Sequence, residues 1–347
     1  MKHTISKRAI ASKKGCKIGI DLGTANLLVY VDGEGIIFDE PSVIAMDHET
    51  KEVIAVGYSA SNMVGRAHSG IRVISPLNQG VISDMHAAKS LLEIAIRKAE
   101  KTDINLATAT CLICCPSEVT QIERDALVDL AHELGVPDVF LEEEVKAGGI
   151  GSGLDIYNSN GNMVIDLGGG SADIGVLSLG DIVVSESIRV AGNYFDKLII
   201  DHLQYNHGLL IGTKTAQRIK EEIASLKKDI VDEKTTYANG RDVVTGLPRQ
   251  ITVNQTEIRD VLLPAFEQIA NTVLKVLQNT PAELSADIIE NGILVNGGGA
   301  LIEGVNEFFS EKIGLNIVIS KNPLTAIVEG TKVLLRNRGN YYVRPVD

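Results

Sequence analysis

The sequence predicts an α/β protein built from two related domains that face each other. Three observations predict it. Two apolar runs, residues 17–30 and 162–179, are each broken by a short Asp- and Gly-containing turn, Asp21-Leu22-Gly23-Thr24 and Asp166-Leu167-Gly168-Gly169-Gly170-Ser171. Each run reads as strand, tight turn, strand. The two turns stand about half the chain apart, as an internal repeat would place them. Segments of helical period separate the strand groups, and alternating strands and helices make an α/β architecture.

In chain order, residues 1–16 read as a basic tail, with Lys2, Lys7, Arg8, Lys13 and Lys14 and no acid. No apolar core follows, so this is no signal peptide. A tail of this charge is expected to be solvated or drawn electrostatically to anionic lipid. The first domain is expected over residues 17–150, with a small subdomain at about 35–80. Residues 85–101 carry Ala88, Leu91, Leu92, Ala95, Ile96 and Ala99 at helical spacing, and residues 117–134 begin a helix after Pro116. Residues 109–115 form an apolar run containing Cys111, Cys114 and Cys115, which reads as a buried strand with the cysteines as small hydrophobes. No second Cys or His pair at metal spacing accompanies it.

The second domain is expected over residues 151–335, with a small subdomain at about 186–255. Helices are expected over residues 213–228 and 256–278, the latter kinked or interrupted by Pro264. Turn signals at Asn239-Gly240 and Gly246-Leu247-Pro248 mark residues 229–249 as an excursion from the core. A last helix, at about 324–337, is expected to pack back on the first domain, before a C-terminal tail of residues 338–347.

Bulk composition narrows the function. The 347 residues exceed what one core usually covers, and 44% hydrophobic with 22% charged residues describes a soluble globular chain. A net charge of -12 argues against nucleic acid as a partner, because neutralising phosphates needs excess Lys and Arg. No apolar stretch approaches the ~20 residues a membrane span needs.

The chemistry lies in three glycine clusters. In Asp21-Leu22-Gly23-Thr24-Ala25-Asn26 a hairpin turn exposes backbone N–H groups that can cradle phosphate, and Thr24 and Asn26 add side-chain donors. Asp21, at the strand end, can hold a hydrated Mg²⁺. Gly168, Gly169 and Gly170 are costly in folding entropy, so something approaches that backbone closely, and a phosphate is the obvious candidate. Asp166 repeats the role of Asp21, and two such turns would clamp a polyphosphate between them. The third cluster, Asn296-Gly297-Gly298-Gly299-Ala300-Leu301, suits the adenosine end of a nucleotide. It is neither a dinucleotide fingerprint nor a P-loop.

These residues carry a family resemblance. The chain resembles the actin, Hsp70 and sugar-kinase ATPases, and within them the MreB bacterial actins. The carrying motifs are Ile20-Asp21-Leu22-Gly23-Thr24-Ala25-Asn26, Glu40-Pro41-Ser42-Val43, residues 166–176, Gly297-Gly298-Gly299-Ala300-Leu301, Asn322-Pro323-Leu324-Thr325 and Gly330-Thr331. The resemblance implies an actin-like fold with ATP and Mg²⁺ in the cleft, Mg²⁺ being held through water by Asp21 and Asp166. It implies ATP hydrolysis, with Glu144 orienting the attacking water and Ser171 as the loop hydroxyl, at a rate expected to be slow because of the departures given below. Gln217, Lys220 and Glu221 match the helix that meets ribose and base. The implied partners are further copies of the chain, in antiparallel double protofilaments, lipids of the inner membrane surface, and other MreB-like or cell-shape proteins. The implied location is cytoplasmic, at the inner face of the membrane, and the implied role is cell shape or motility.

Some positions depart from the family pattern. Val145 replaces a usual Pro, and Gly148-Gly149 a usual Ala-Ala, which predicts a looser linking helix by up to ~1 kcal/mol per Gly. Lys146 is expected close to Glu144. Ser171-Ala172-Asp173 replaces Thr-Thr-Glu, and Gln217 replaces a commoner Glu. Two alternatives share the fold. A chaperone of the Hsp70 class is disfavoured because the chain ends at Asp347 with no peptide-binding domain after the ATPase, which leaves a stand-alone Hsp70-like ATPase as that alternative. A small-molecule kinase is disfavoured by the lack of a dedicated base for a hydroxyl acceptor.

Overall fold

A computed structural model describes residues 15–78, 81–100, 105–116 and 119–337. The basic tail expected at residues 1–16 falls almost wholly outside them, as does the C-terminal tail expected at residues 338–347.

The first half opens with β1 (Lys17–Leu22), β2 (Asn26–Val31) and β3 (Gly35–Pro41), followed by β4 (Ile44–Asp47), β5 (Val53–Val56), α1 (Gly57–Ser61) and β6 (Ile71–Ile74). A two-strand ribbon, β7 (Leu77–Asn78) and β8 (Val81–Ile82), leads to α2 (Met85–Glu100), β9 (Thr110–Cys115), α3 (Gln121–Glu133), β10 (Asp138–Glu143) and α4 (Glu144–Gly151). The second half opens with β11 (Asn162–Leu167), β12 (Ala172–Ser178) and β13 (Asp181–Ile188), followed by α5 (Gly192–His207), β14 (Leu209–Leu210), α6 (Thr213–Ile223), β15 (Thr235–Asp242) and β16 (Pro248–Asn254). The chain continues through α7 (Gln255–Asn279), α8 (Ala282–Asn291), β17 (Ile293–Asn296), α9 (Val305–Ile313), β18 (Ile317–Ile319) and α10 (Ala326–Arg336).

Both halves build the same sheet. The first is ordered β10-β9-β1-β2-β3 and the second β18-β17-β11-β12-β13, each with five strands. In each, the first three strands form an antiparallel meander, and the later strands add in parallel on the other side of the first. β11 and β12 are buried along their whole length, as expected for strands covered on both faces. Two smaller sheets, β5-β4-β6 and β14-β15-β16, are inserted into the first and second halves respectively.

Each half has its own core, one packed around Ile18, Ile20, Leu91, Leu92 and Ile113, the other around Ile165, Phe195, Phe266 and Phe309. A third cluster joins the halves. It unites Leu112 and Cys114 of β9, Val164 of β11 and Leu177 of β12 with Val145, Ala147 and Ile150 of α4 and Leu334 and Leu335 of α10. The two helices therefore fill the seam between the sheets. The cysteines of β9 are buried and free, and burial pushes the Cys111 and Cys115 thiols up to about 12, which keeps them inert.

Several expectations need correction. Residues 35–41 are the third strand of the large sheet, so the first insertion begins after Pro41. Residues 186–188 likewise belong to β13 of the second large sheet. α3 starts at Gln121, not near residue 117, because Thr120 caps it in a reciprocal box with Glu123. α6 stops at Ile223, not residue 228, where Ala224 turns extended and Leu226 N–H donates to the Glu303 carbonyl. Of the two effects expected of Pro264, interruption does not occur, because α7 runs through it without a break. Pro264 is exposed, as is Asp260, whose carbonyl loses its helical donor, and water can replace that bond.

The glycines of α4 also have a packing role that helix propensity does not show. A Cβ on Gly151 would lie 1.8 Å from the Ala326 carbonyl oxygen, and one on Gly330 would lie 1.8 Å from the Ala147 carbonyl oxygen. These glycines let the backbones of α4 and α10 touch. Gly149 is boxed in by Leu177 and Val164. The propensity cost of glycine is offset by buried packing that a larger residue would prevent.

Candidate functional site

The identical topology sets Asp21 and Asp166 at equivalent places, each next to last on the first strand of its sheet. The turns that follow them meet. A Cβ on Gly169 would stand 2.7 Å from Ala25 Cβ and 3.2 Å from Ala25 N. The close approach that the three glycines demand is therefore met at Gly169 by the first turn itself, not by a ligand alone.

Each turn is braced from behind. Ser42 Oγ donates to the Gly23 carbonyl at 2.6 Å, and Ser42 N–H donates to the Ala25 carbonyl at 2.9 Å. Thus Asp21, Gly23, Thr24, Ala25 and Asn26 lie in a turn whose carbonyls are held on one side. In the second turn, the first residues of α5 take the carbonyls. Gly192 N–H donates to Gly168 O at 3.1 Å and Asn193 N–H to Gly169 O at 2.8 Å. Ser171 Oγ donates to Asp173 Oδ2 at 2.7 Å. Gly168, Gly169, Gly170 and Ser171 are thus hung between β11, β12 and α5.

The third glycine cluster packs on the root of the second turn. Gly297 adopts a φ of 81°, and a Cβ there would lie 2.4 Å from the Leu167 carbonyl oxygen. Its N–H donates to the Pro323 carbonyl at 3.0 Å. Gly299 abuts Leu167 as well, Gly298 faces Leu324, and Ala300 is buried. The predicted contacts on α6 divide. Gln217 Nε2 donates to Glu221 Oε1 at 2.8 Å, so these two lie together on its face. Lys220 turns toward α5, where its ammonium donates to the Gly192 carbonyl at 2.9 Å and meets Asp196 at 2.8 Å. In this arrangement Lys220 braces the helix that holds the second turn.

Between the turns lies an acidic cluster. Asp21, Glu144, Asp166 and Asp173 are 5%, 6%, 2% and 1% exposed. Burial, then the charge of Asp39, raises the Asp21 carboxyl to about 7. Burial, then Asp173 and Asp21, raises Asp166 to about 8. Burial and the same three aspartates hold Glu144 well above the usual carboxylate range. Asp21 Oδ1, Glu144 Oε1 and Asp166 Oδ1 are buried without a hydrogen-bond partner among the described residues. Buried anions without partners are costly, so this group fits a cation. All the donors are hard oxygens, which suits Mg²⁺. Asp21 and Asp166 would hold it, and it would supply the positive charge that lets the neighbouring carboxylates ionise.

Two residues enlarge the predicted site. Asp173 pairs with Asp166 across the β11–β12 hairpin, and directly opposed like charges are unfavourable unless a cation intervenes. The turn length alone fixes that register, so counting outward from the glycines could have found Asp173. Asp196 has no sequence signal, because its partner Lys220 comes from another helix. The expected closeness of Lys146 to Glu144 is corrected. Its buried ammonium lies 2.8 Å from Glu142 Oε2 and 3.8 Å from Asp181 Oδ1, and the charges that bear on Glu144 are aspartates.

A pH dependence follows. Groups raised from the ordinary 3.8 to about 7 and 8 are protonated in the fold and ionised in the unfolded chain between those values. Folding takes up protons in that window, so stability is present below it and is lost as pH rises through it. The melting temperature of the protein in chelator should fall between pH 5 and pH 8, and Asp166→Asn should flatten the slope. An unchanged slope in the variant would refute the assignment.

The family model described as MreB/Mbl protein matches residues 15–342. The cell shape-determining protein Mbl of Bacillus subtilis (strain 168) is 42% identical over 320 residues, which cover 92% of this chain and 96% of that one. The cell shape-determining protein MreB of Escherichia coli (strain K12) is 39% identical over 318 residues, covering 90% and 91%. The crystal structure of MreB5 of Spiroplasma citri bound to AMPPNP superposes with a TM-score of 0.89 at 42% identity, covering 94% of this chain and 97% of that one.

Proposed function

The chain belongs to the MreB/Mbl family of actin-like proteins, and we propose from that premise that it binds ATP with Mg²⁺ and polymerises in a nucleotide-dependent way. The observation that carries this reading is the contact of Gly169 with Ala25 across two braced, equivalent turns. Two braced turns that meet at Gly169 and Ala25 can grip a triphosphate from both sides, through backbone N–H groups and the hydroxyls of Thr24 and Ser171. The third glycine cluster and the Gln217–Glu221 pair flank the nucleoside end. MreB5 bound to AMPPNP, at 42% identity, supports the same ligand class here.

In this reading Glu144 orients the water that attacks the γ-phosphate. It is the first residue of α4, a helix wedged between the two sheets. Mg²⁺ neutralises phosphate charge when bound. Nucleotide state then acts on polymerisation because the two halves meet the same ligand, and closing them shapes the protomer that adds to a filament. Antiparallel double protofilaments and a part in cell shape or motility are the assembly and role we infer.

Sedimentation with ATP and Mg²⁺ tests this. The protein should pellet with nucleotide and stay in solution without it, whereas phosphoryl transfer to a small molecule without pelleting would favour a kinase. Gly169→Ala should weaken ATP affinity roughly tenfold or more, since its methyl pushes against Ala25. Wild-type affinity in that variant would count against the two-sided grip.

Peripheral association with the inner face of the membrane is the remaining part of the proposal. No helix among the described residues is long and apolar enough to cross a membrane. The basic residues before Cys16 would supply attraction of about 1 kcal/mol each near an anionic surface. Co-sedimentation with anionic liposomes should fall when residues 1–15 are removed, and unchanged binding would exclude the tail as the anchor.

A further inference from the structure

Far from the cleft, three metal-ligating side chains converge at the end of α5. His202 and His207 both direct Nε2 at one oxygen, Oε1 of Glu257. The His202 contact is 2.6 Å. The imidazole rings stand edge to face with centroids 5.8 Å apart. Asn254 caps α7, and its Oδ1 accepts the Glu257 N–H at 2.8 Å, which fixes the carboxylate at the start of that helix. Arg249 holds the other side, donating to the His207 carbonyl at 2.9 Å and to Asp242 at 3.0 Å. The three side chains are each partly buried, between 18% and 32% exposed, so the site is walled by protein yet reached by solvent.

We propose that His202, His207 and Glu257 form a binding site for a transition-metal dication of the zinc class. The candidate ligand atoms all lie within 4.8 Å of one another. Two imidazole nitrogens and one carboxylate oxygen, with a water completing a tetrahedron, is a donor set zinc takes. Mg²⁺ prefers all-oxygen sites, so the cluster is chemically distinct from the acidic one in the cleft. Tetrahedral ligands around zinc stand roughly 3.3 Å apart, so the two histidines would draw back slightly from Glu257 Oε1 to admit the ion. Without metal, a carboxylate can only accept, so both Nε2 atoms carry protons. Ligation needs those nitrogens bare, so each proton passes to Nδ1 of its own ring. The metal then replaces two hydrogen bonds that share one acceptor. Bound there, it would tie the last turn of α5 to the first turn of α7, and α5 is the helix whose other end holds the second turn.

Calorimetric titration of the full chain with Zn²⁺, in excess Mg²⁺ to occupy the cleft, tests this. One zinc per chain should bind, and Co²⁺ in its place should show the visible absorption of a tetrahedral site. His202→Ala and His207→Ala should each weaken zinc by about tenfold or more and abolish the cobalt band. His202→Gln keeps a hydrogen-bond donor to Glu257 and preserves the fold, and it should weaken zinc as well. Absence of zinc binding by the wild type, or equal uptake by the wild type and the His202→Gln variant, would overturn the proposal.

Discussion

Glu144→Ala should bind ATP with near wild-type affinity and release phosphate roughly 100-fold more slowly. The carboxyl sits at the start of α4, buried and facing Asp21, Asp166 and Asp173. No phosphate-gripping turn contains it, so its loss should leave binding intact. Without a cation, burial and the neighbouring aspartates hold its carboxyl well above the usual range, which favours the protonated form, a poor partner for a nucleophilic water. Once a cation neutralises the aspartates, the carboxylate can form and accept from water. Removing Glu144 also removes a buried carboxyl oxygen that has no hydrogen-bond partner among the described residues, so the variant in chelator should melt no lower than wild type. Together these outcomes separate a chemical role from a folding role. A phosphate-release assay giving the wild-type rate would show that another group positions the water.

Much of this arrangement is legible in the sequence because it is local. The strand–turn–strand units at Asp21 and Asp166 are set by continuous apolar runs and by glycines within a dozen residues, and the repeat of one unit in the other foretells two sheets of one topology. The start of α3 was less legible, since a capping box at Thr120 outweighs the apolar period before it. Features built from distant residues were not legible at all. The bond from Lys220 to Asp196 joins two helices, and nothing in either helix announces it. The glycines of α4 looked like weak points in a helix, because propensity is a property of one segment. Their neighbours are distant in sequence: Asn296 at Gly148, Leu177 and Val164 at Gly149, and the backbone of α10 at Gly151, where the two helices touch.

That contact predicts the largest loss of stability. Gly330→Ala places a methyl 1.8 Å from the Ala147 carbonyl oxygen and 2.5 Å from its carbon. Both are backbone atoms of a buried helix, so no side chain can rotate away. α10 is pinned on its other side as well. Thr331, whose Oγ1 donates to the Val328 carbonyl at 2.7 Å, sits where a Cβ on Gly19 of β1 would be. The helices must separate, opening the apolar cluster that joins the halves, at a cost of about 3 kcal/mol or more. The melting temperature should drop by roughly 5 °C or more. Gly212→Ala is the control: its methyl would meet no atom within 4 Å, and it should shift stability by less than about 0.5 kcal/mol. Because α4 also carries Glu144, Gly330→Ala should lower phosphate release beyond what its unfolded fraction explains. A variant that melted with wild type would mean that the two helices are not in backbone contact, and the seam would then need another explanation.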